Sequence, residues 1–209
     1  MAEPGDLDTQ VRAADPDRWL SSRFVGDAEA RADLIALYAF EAELLTIPTR
    51  VTQPLLAEMR YAWWREQMDG VFAGVPRKGH PVLEALTLAV SRRALDRTPF
   101  EALIEAHIGR VHSEPHDLDA FYVGPMQAAV RVLAGVGHEP AVVEAGRMWG
   151  LAQTGRLEDA RAMRASANRA LKALPAAAVP AVAHAALIGV TSEGVKRLRL
   201  FWATLTGGV

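Results

Sequence analysis

The chain is predicted to be all-α, a single helical bundle, and three features of the sequence predict it. Half of its 209 residues are apolar, enough to bury a sizeable core in a domain of this length. Apolar residues recur at three- and four-residue spacing, the period of a helix face. Alanine is abundant and β-branched runs are short, which favours helix over strand. No repeat of fixed period is present, so a solenoid is set aside. Residues 1–14 read as a polar N-terminal tail and 15–209 as one helical domain.

Each helix has local signals. Asp15-Pro16-Asp17 reads as a cap followed by a first-turn proline, opening a short helix through Trp19 and Phe24. Asp27 is the next cap. From Ala28 a helix carries Leu37, Phe40, Leu44 and Ile47 on one stripe until Pro48, which removes a backbone donor and is expected to bend or end it. Pro54 marks a second break. Leu55 to Met68 follows as a helix with Met59, Trp63 and Gln67 four apart, closed by Gly70 and Gly74. His80-Pro81 starts another helix, running to Asp96. Thr98-Pro99-Phe100-Glu101 reads as a capping box with proline at the first helical position, and Phe100, Leu103, Ile104, His107, Ile108 and Val111 fall on one face behind it. Further helices are expected over Leu118–Ala134, Ala141–Gln153, Leu157–Leu174, Ala177–Ile188 and Val195–Leu205.

Composition excludes some functions. Lys and Arg number 23 against 25 Asp and Glu, a net charge of −2, which argues against a nucleic-acid binder that neutralises phosphates over its whole surface. Cysteine is absent, so disulfides, zinc-thiolate sites and thiol nucleophiles are excluded together. Met1 to Gln10 has no apolar h-region and no basic transit character. Ala173 to Ser192 is uncharged but interrupted by Pro175, Pro180 and His184, and reads as helical packing surface, not a span. The expectation is a cytoplasmic protein.

Several clusters could carry chemistry. His107, His112 and His116 sit on one helix and its exit loop, but positions five and nine apart diverge by roughly 140° and 180° on a helix. A core His107 is the stronger reading. Glu101 and Glu105 share a helix face but lie off its apolar stripe, and Glu41 and Glu43, two apart, point to different sides. Arg60, Trp63, Trp64 and Arg65 form a dense aromatic-cationic cluster on one helix, suited to a phosphate or a partner surface. Lys196, Arg197, Arg199, Phe201 and Trp202 combine charge with aromatic bulk near the C-terminus, a candidate contact for a partner or an anionic membrane surface.

Asp17-Arg18-Trp19-Leu20, the run Leu37-Tyr38-Ala39-Phe40 and the motif Arg60-x-x-Trp63-Trp64-Arg65 resemble the squalene/phytoene synthase family. Weaker similarity continues through Leu103–Ala106 and Trp149–Gln153 and resumes at Ala170–Pro175, with a gap between. The resemblance implies a shortened isoprenoid (prenyl) synthase fold and adds Tyr38 to the candidate binding residues. In catalytic members two Asp-x-x-x-Asp motifs bind the magnesium that holds prenyl diphosphates. Counting from Tyr38 and Phe40, the first pair would fall at Leu45 and Thr49, which supply no carboxylate. For the second, only the adjacent Glu158 and Asp159 are on offer, and they point about 100° apart on a helix.

Within the family, Pro54 to Arg65 is more similar to a non-catalytic branch resembling the mitochondrial factor that assists assembly of respiratory complex I. The resemblance therefore implies a pseudoenzyme without cofactor, bound to a protein partner and peripheral to an inner membrane. Two alternatives stay open. One is a magnesium-dependent prenyl diphosphate transferase of isoprenoid biosynthesis, using Glu41, Glu101 and Glu105; the other is an isoprenoid lipid-binding protein.

Overall fold

The computed structural model describes residues 4–209, and among them there is no β-strand. Within the described residues the expected tail is a helix. Met1–Glu3 lie outside the described residues, but Pro4–Ala14 forms helix α1, whose Leu7 and Val11 are buried against the helix that follows Asp27. Two apolar residues four apart, with Gln10 donating to Glu43 at 2.6 Å and Asp8 accepting from the Trp19 indole at 2.8 Å, dock a segment whose polar composition suggested none.

Asp15 caps α2 (Pro16–Ser22) by accepting from the Arg18 N–H, and Asp27 caps α3 (Ala28–Arg50) by accepting from the Ala30 N–H. Helix α3 is the central rod. Leu37, Phe40, Leu44 and Ile47 are buried along it, and α1, α2, α5 (Pro81–Arg93) and α7 (Gly124–Ala134) pack around it. Pro48 does not end the helix, which continues to Arg50. The proline leaves the Leu44 carbonyl without its helical donor. The Tyr61 hydroxyl, from α4 (Pro54–Phe72), donates to that carbonyl at 3.2 Å.

Helix α4 runs past Gly70 and closes at Gly74, whose φ of +76° suits glycine, with the Val75 N–H returning to the Gly70 carbonyl. Its core stripe is Ala57, Tyr61, Trp64, Met68 and Val71; Met59, Trp63 and Gln67 lie off it. Helix α5 stops at Ala94, in the left-handed region, short of Asp96. The capping box at Thr98 does not form. Helix α6 (Thr98–Val111) starts one residue earlier in register, the Asp96 carboxylate accepts from the Thr98 N–H and hydroxyl, and Glu101 accepts from Arg97 instead.

The second half departs further from plain α-helix. Asp119–Val123 is a π-helical turn before α7, and a short 3₁₀ turn, Glu139–Val142, precedes α8 (Val143–Gln153). Gly146 and Gly150 let α8 approach that π turn closely: a Cβ on Gly146 would lie 2.9 Å from Val123 Cα, and one on Gly150 would enter the Tyr122 ring. Helix α9 (Leu157–Leu171) packs on α8. The expected helix over Ala177–Ile188 is two 3₁₀ segments, Ala176–Ala181 and Ala183–Leu187, almost wholly buried. Pro180 denies that stretch an α-helical hydrogen bond. The chain finishes with α10 (Glu193–Thr206), and among the described residues no helix is long and apolar enough to cross a membrane.

Candidate functional site

Three regions bring polar side chains together: an internal cluster on α2 and α3, a groove where α3 meets α6, and a second groove between α3 and α4. The internal cluster centres on Arg18, which the short helix α2 aims inward. Its guanidinium donates to Glu41 at 2.5 Å and to Asp15 at 2.7 Å and lies 4.8 Å above the Tyr38 ring. His184, from the second 3₁₀ segment, completes the group with its ring edge-on to Trp149.

Burial governs the charges here. Burial disfavours the Arg18 cation, but Glu41 and Asp15 outweigh it and hold the guanidinium firmly protonated. Burial raises Glu41 despite Arg18, and raises Tyr38 also. Burial would raise Asp15 too, but the charge and hydrogen bonds of Arg18 prevail and lower it. His184 is pushed down to about 3, by burial first and then by Arg18, so its ring is neutral. Around these groups, with Phe121, Tyr122 and Met126, only about 10 Å³ is open, room for about one water. Ligand pockets usually run to about 300–1,000 Å³.

The second region lies at Leu45, where the first acidic motif of the synthases would stand. Leu45 is exposed at the rim of a groove of about 610 Å³ whose lining includes Pro48, Tyr61, His107, Arg110, His116 and Phe121 and no acidic side chain. Thr49 turns its hydroxyl to the Thr46 carbonyl of its own helix, 2.8 Å away. Magnesium prefers several hard oxygen ligands, and the residues present do not fit it. Glu41, Glu101 and Glu105 do not converge: Glu41 is bound to Arg18 in the core, Glu101 to Arg97 at 2.6 Å and Glu105 to Arg65 at 2.8 Å. Glu158 pairs with Arg161 and Asp159 with Arg156. Among the described residues no three His, Cys, Asp or Glu are grouped so as to hold a metal ion. His107 is instead a core residue, stacked on Tyr61 and edge-on to Phe121, its pKa lowered to about 4 by burial and then by His116.

The third region divides the aromatic-cationic cluster of α4. Trp64 is buried against Phe40, and Arg65 turns to Glu105. Arg60 and Trp63 face a groove of about 480 Å³ completed by Glu43, Ile47, Arg50 and His80, with exposed Leu56 and Met59 beside them. Arg77 lies 5.8 Å over the Trp63 ring. Tyr38, placed with this cluster from sequence, belongs to the internal group. At the C-terminus, Lys196 binds Asp17 at 2.6 Å and Arg199 donates to the Ala186 carbonyl, whereas Trp202 is about half exposed. Arg18, Asp15 and His184 were not among the candidates read from sequence. Glu41 held the clue, because a carboxylate facing inward from a buried helix needs a cation.

An all-α bundle with a long central rod carrying Tyr38 and Glu41 and a Trp-Trp helix beside it is consistent with an isoprenoid synthase-like fold. The squalene/phytoene synthase family model matches residues 11–122, just over half of the chain, and the chain belongs to that family. No curated protein matches it.

Proposed function

We propose that this protein is a non-catalytic member of its family that works by binding a protein partner, as an assembly factor for a membrane complex such as respiratory complex I. The observation that carries the reading is the charge where the first acidic motif of the family would stand and in the interior behind it. The groove at Leu45 has arginine and histidine and no acidic side chain, and the interior is filled by the Arg18–Glu41–Asp15 ion network. Prenyl diphosphate ionisation needs counter-charge for its leaving group, and paired, scattered carboxylates supply no site for it. The similarity of Pro54–Arg65 to the complex I assembly branch supports the choice of partner class.

The partner surface is the groove at Trp63. Tryptophan and arginine beside exposed apolar side chains are the composition of protein-binding hot spots, and Arg60, Trp63, Leu56 and Met59 provide it. Affinity capture from a membrane extract, comparing the parent with Met59→Glu/Arg60→Glu, tests this. Subunits of one membrane complex should come down with the parent and fall at least tenfold with the variant. Equal recovery by both, or no reproducible partner, would sink it.

The carrier reading has one observation in its favour, the apolar share of the 610 Å³ groove at Leu45, Pro48, Val51 and Phe121. Tight binding of farnesol, blocked by Leu45→Glu, would favour it over a protein partner at Trp63.

A further inference from the structure

We propose that the outer face of α10 is a docking surface for an anionic lipid bilayer, lying in the plane of the headgroups. This goes beyond the protein-partner reading and does not depend on it.

Helix α10 is the least buried of the long helices in its own right: only Leu200 and Ala203 are enclosed. Yet its solvent side is not polar. Val195, Leu198, Phe201, Trp202 and Leu205 are 44%, 58%, 51%, 54% and 65% exposed. At about 100° per residue they span an arc of about 120° centred near Leu198. Arg197 and Arg199 fall about 100° to either side of that centre, at the two edges of the arc. An apolar stripe carrying tryptophan and phenylalanine and edged by arginines is the pattern of a helix that sinks its apolar face between headgroups while the guanidinium groups reach back to phosphate.

Charge complementarity selects the occupant. The edges of the arc have one sign. Glu193, the acidic side chain of α10, lies about 140° from the centre of the arc and sits 3.4 Å from Lys196, which also binds Asp17. The adjoining groove between α9 and α10, about 540 Å³, is lined by Arg164, Arg199 and Trp202 among others and by no acidic side chain. A second copy of the chain would set arginine against arginine across a shared apolar stripe. An anionic membrane meets both the apolar arc and the positive edges. At 14 residues α10 is too short to span a bilayer, so the contact is a surface one.

The test is co-sedimentation of the full chain with vesicles of phosphatidylcholine alone and with 30 mole per cent (roughly, a physiological upper range) phosphatidylserine. The parent should bind the anionic vesicles at least tenfold more tightly, and more weakly as salt rises. Arg197→Gln should weaken that binding about fivefold, and Leu198→Ser/Trp202→Ser by on the order of tenfold or more. Leu88→Ser, which removes exposed apolar bulk from α5, should change nothing. Circular dichroism of each variant checks that it is folded, and a blue shift in emission lost in Trp202→Phe gives a second readout that keeps the helix intact. Equal binding to both vesicle types, α10 variants that bind like the parent, or a parent that forms dimers broken by the α10 variants would each overturn the proposal.

Discussion

The side chain that organises the interior is Arg18, which ties Glu41 and Asp15 into one ion network over the Tyr38 ring. Removing one partner of such a network leaves the other buried without compensation, which is why Glu41, Asp15 and Arg18 are best regarded as one unit. The two buried histidines impose a pH dependence of definite sign. Both have folded values below the ordinary 6.5, about 4 for His107 and about 3 for His184, so the unfolded chain binds more protons than the folded one between those limits. Stability is therefore full above pH 6.5 or so and falls as the pH drops towards 4. Glu41, raised by burial, acts in the opposite sense, and comparison with a single variant removes its effect. Denaturant unfolding of His107→Phe should show a shallower decline than the parent, by on the order of 3 kcal/mol at pH 4. Parallel curves would mean that His107 is not buried neutral.

At the scale of elements, the bond from Tyr61 to the Leu44 carbonyl joins α4 to α3 at the point where Pro48 has removed a donor. Tyr61→Phe leaves that buried carbonyl unsatisfied and should cost about 1–3 kcal/mol, read from the urea midpoint. A loss near zero would show that α3 tolerates Pro48 without help. Helix periodicity and caps made α2, α3, α4 and α6 legible from sequence, and the Asp15 and Asp27 caps form as read. What was not legible depended on partners distant in sequence. Pro48 predicts a break only if nothing replaces its donor, and Tyr61 lies on the next helix. The apolar Ala177–Ile188 run suits an α-helix or a 3₁₀ segment equally by composition, and Pro180 with close packing decided for the latter. The polar look of residues 4–14 hid Leu7 and Val11, whose burial depends on where α3 lies.

For the whole molecule, the fold class and the family were within reach of the sequence because Leu37–Phe40 and Arg60–Arg65 are local, contiguous signals. The site was less so. The sequence placed Tyr38, Arg60, Trp63, Trp64 and Arg65 together, and the bundle distributes them over a core network, a groove, the core again and a surface ion pair. One helix has several faces, and only packing shows which of them share a site. The same packing leaves the groove at Leu45 without a carboxylate and only about 10 Å³ open beside the Arg18 network, the two observations on which our proposal of a protein that binds and does not condense rests. The most direct measurement is isothermal titration of the chain with a non-hydrolysable farnesyl diphosphate analogue in the presence and absence of magnesium, paired with a product assay on farnesyl diphosphate itself. The account predicts no magnesium-dependent binding and no product; magnesium-dependent binding with turnover would contradict it.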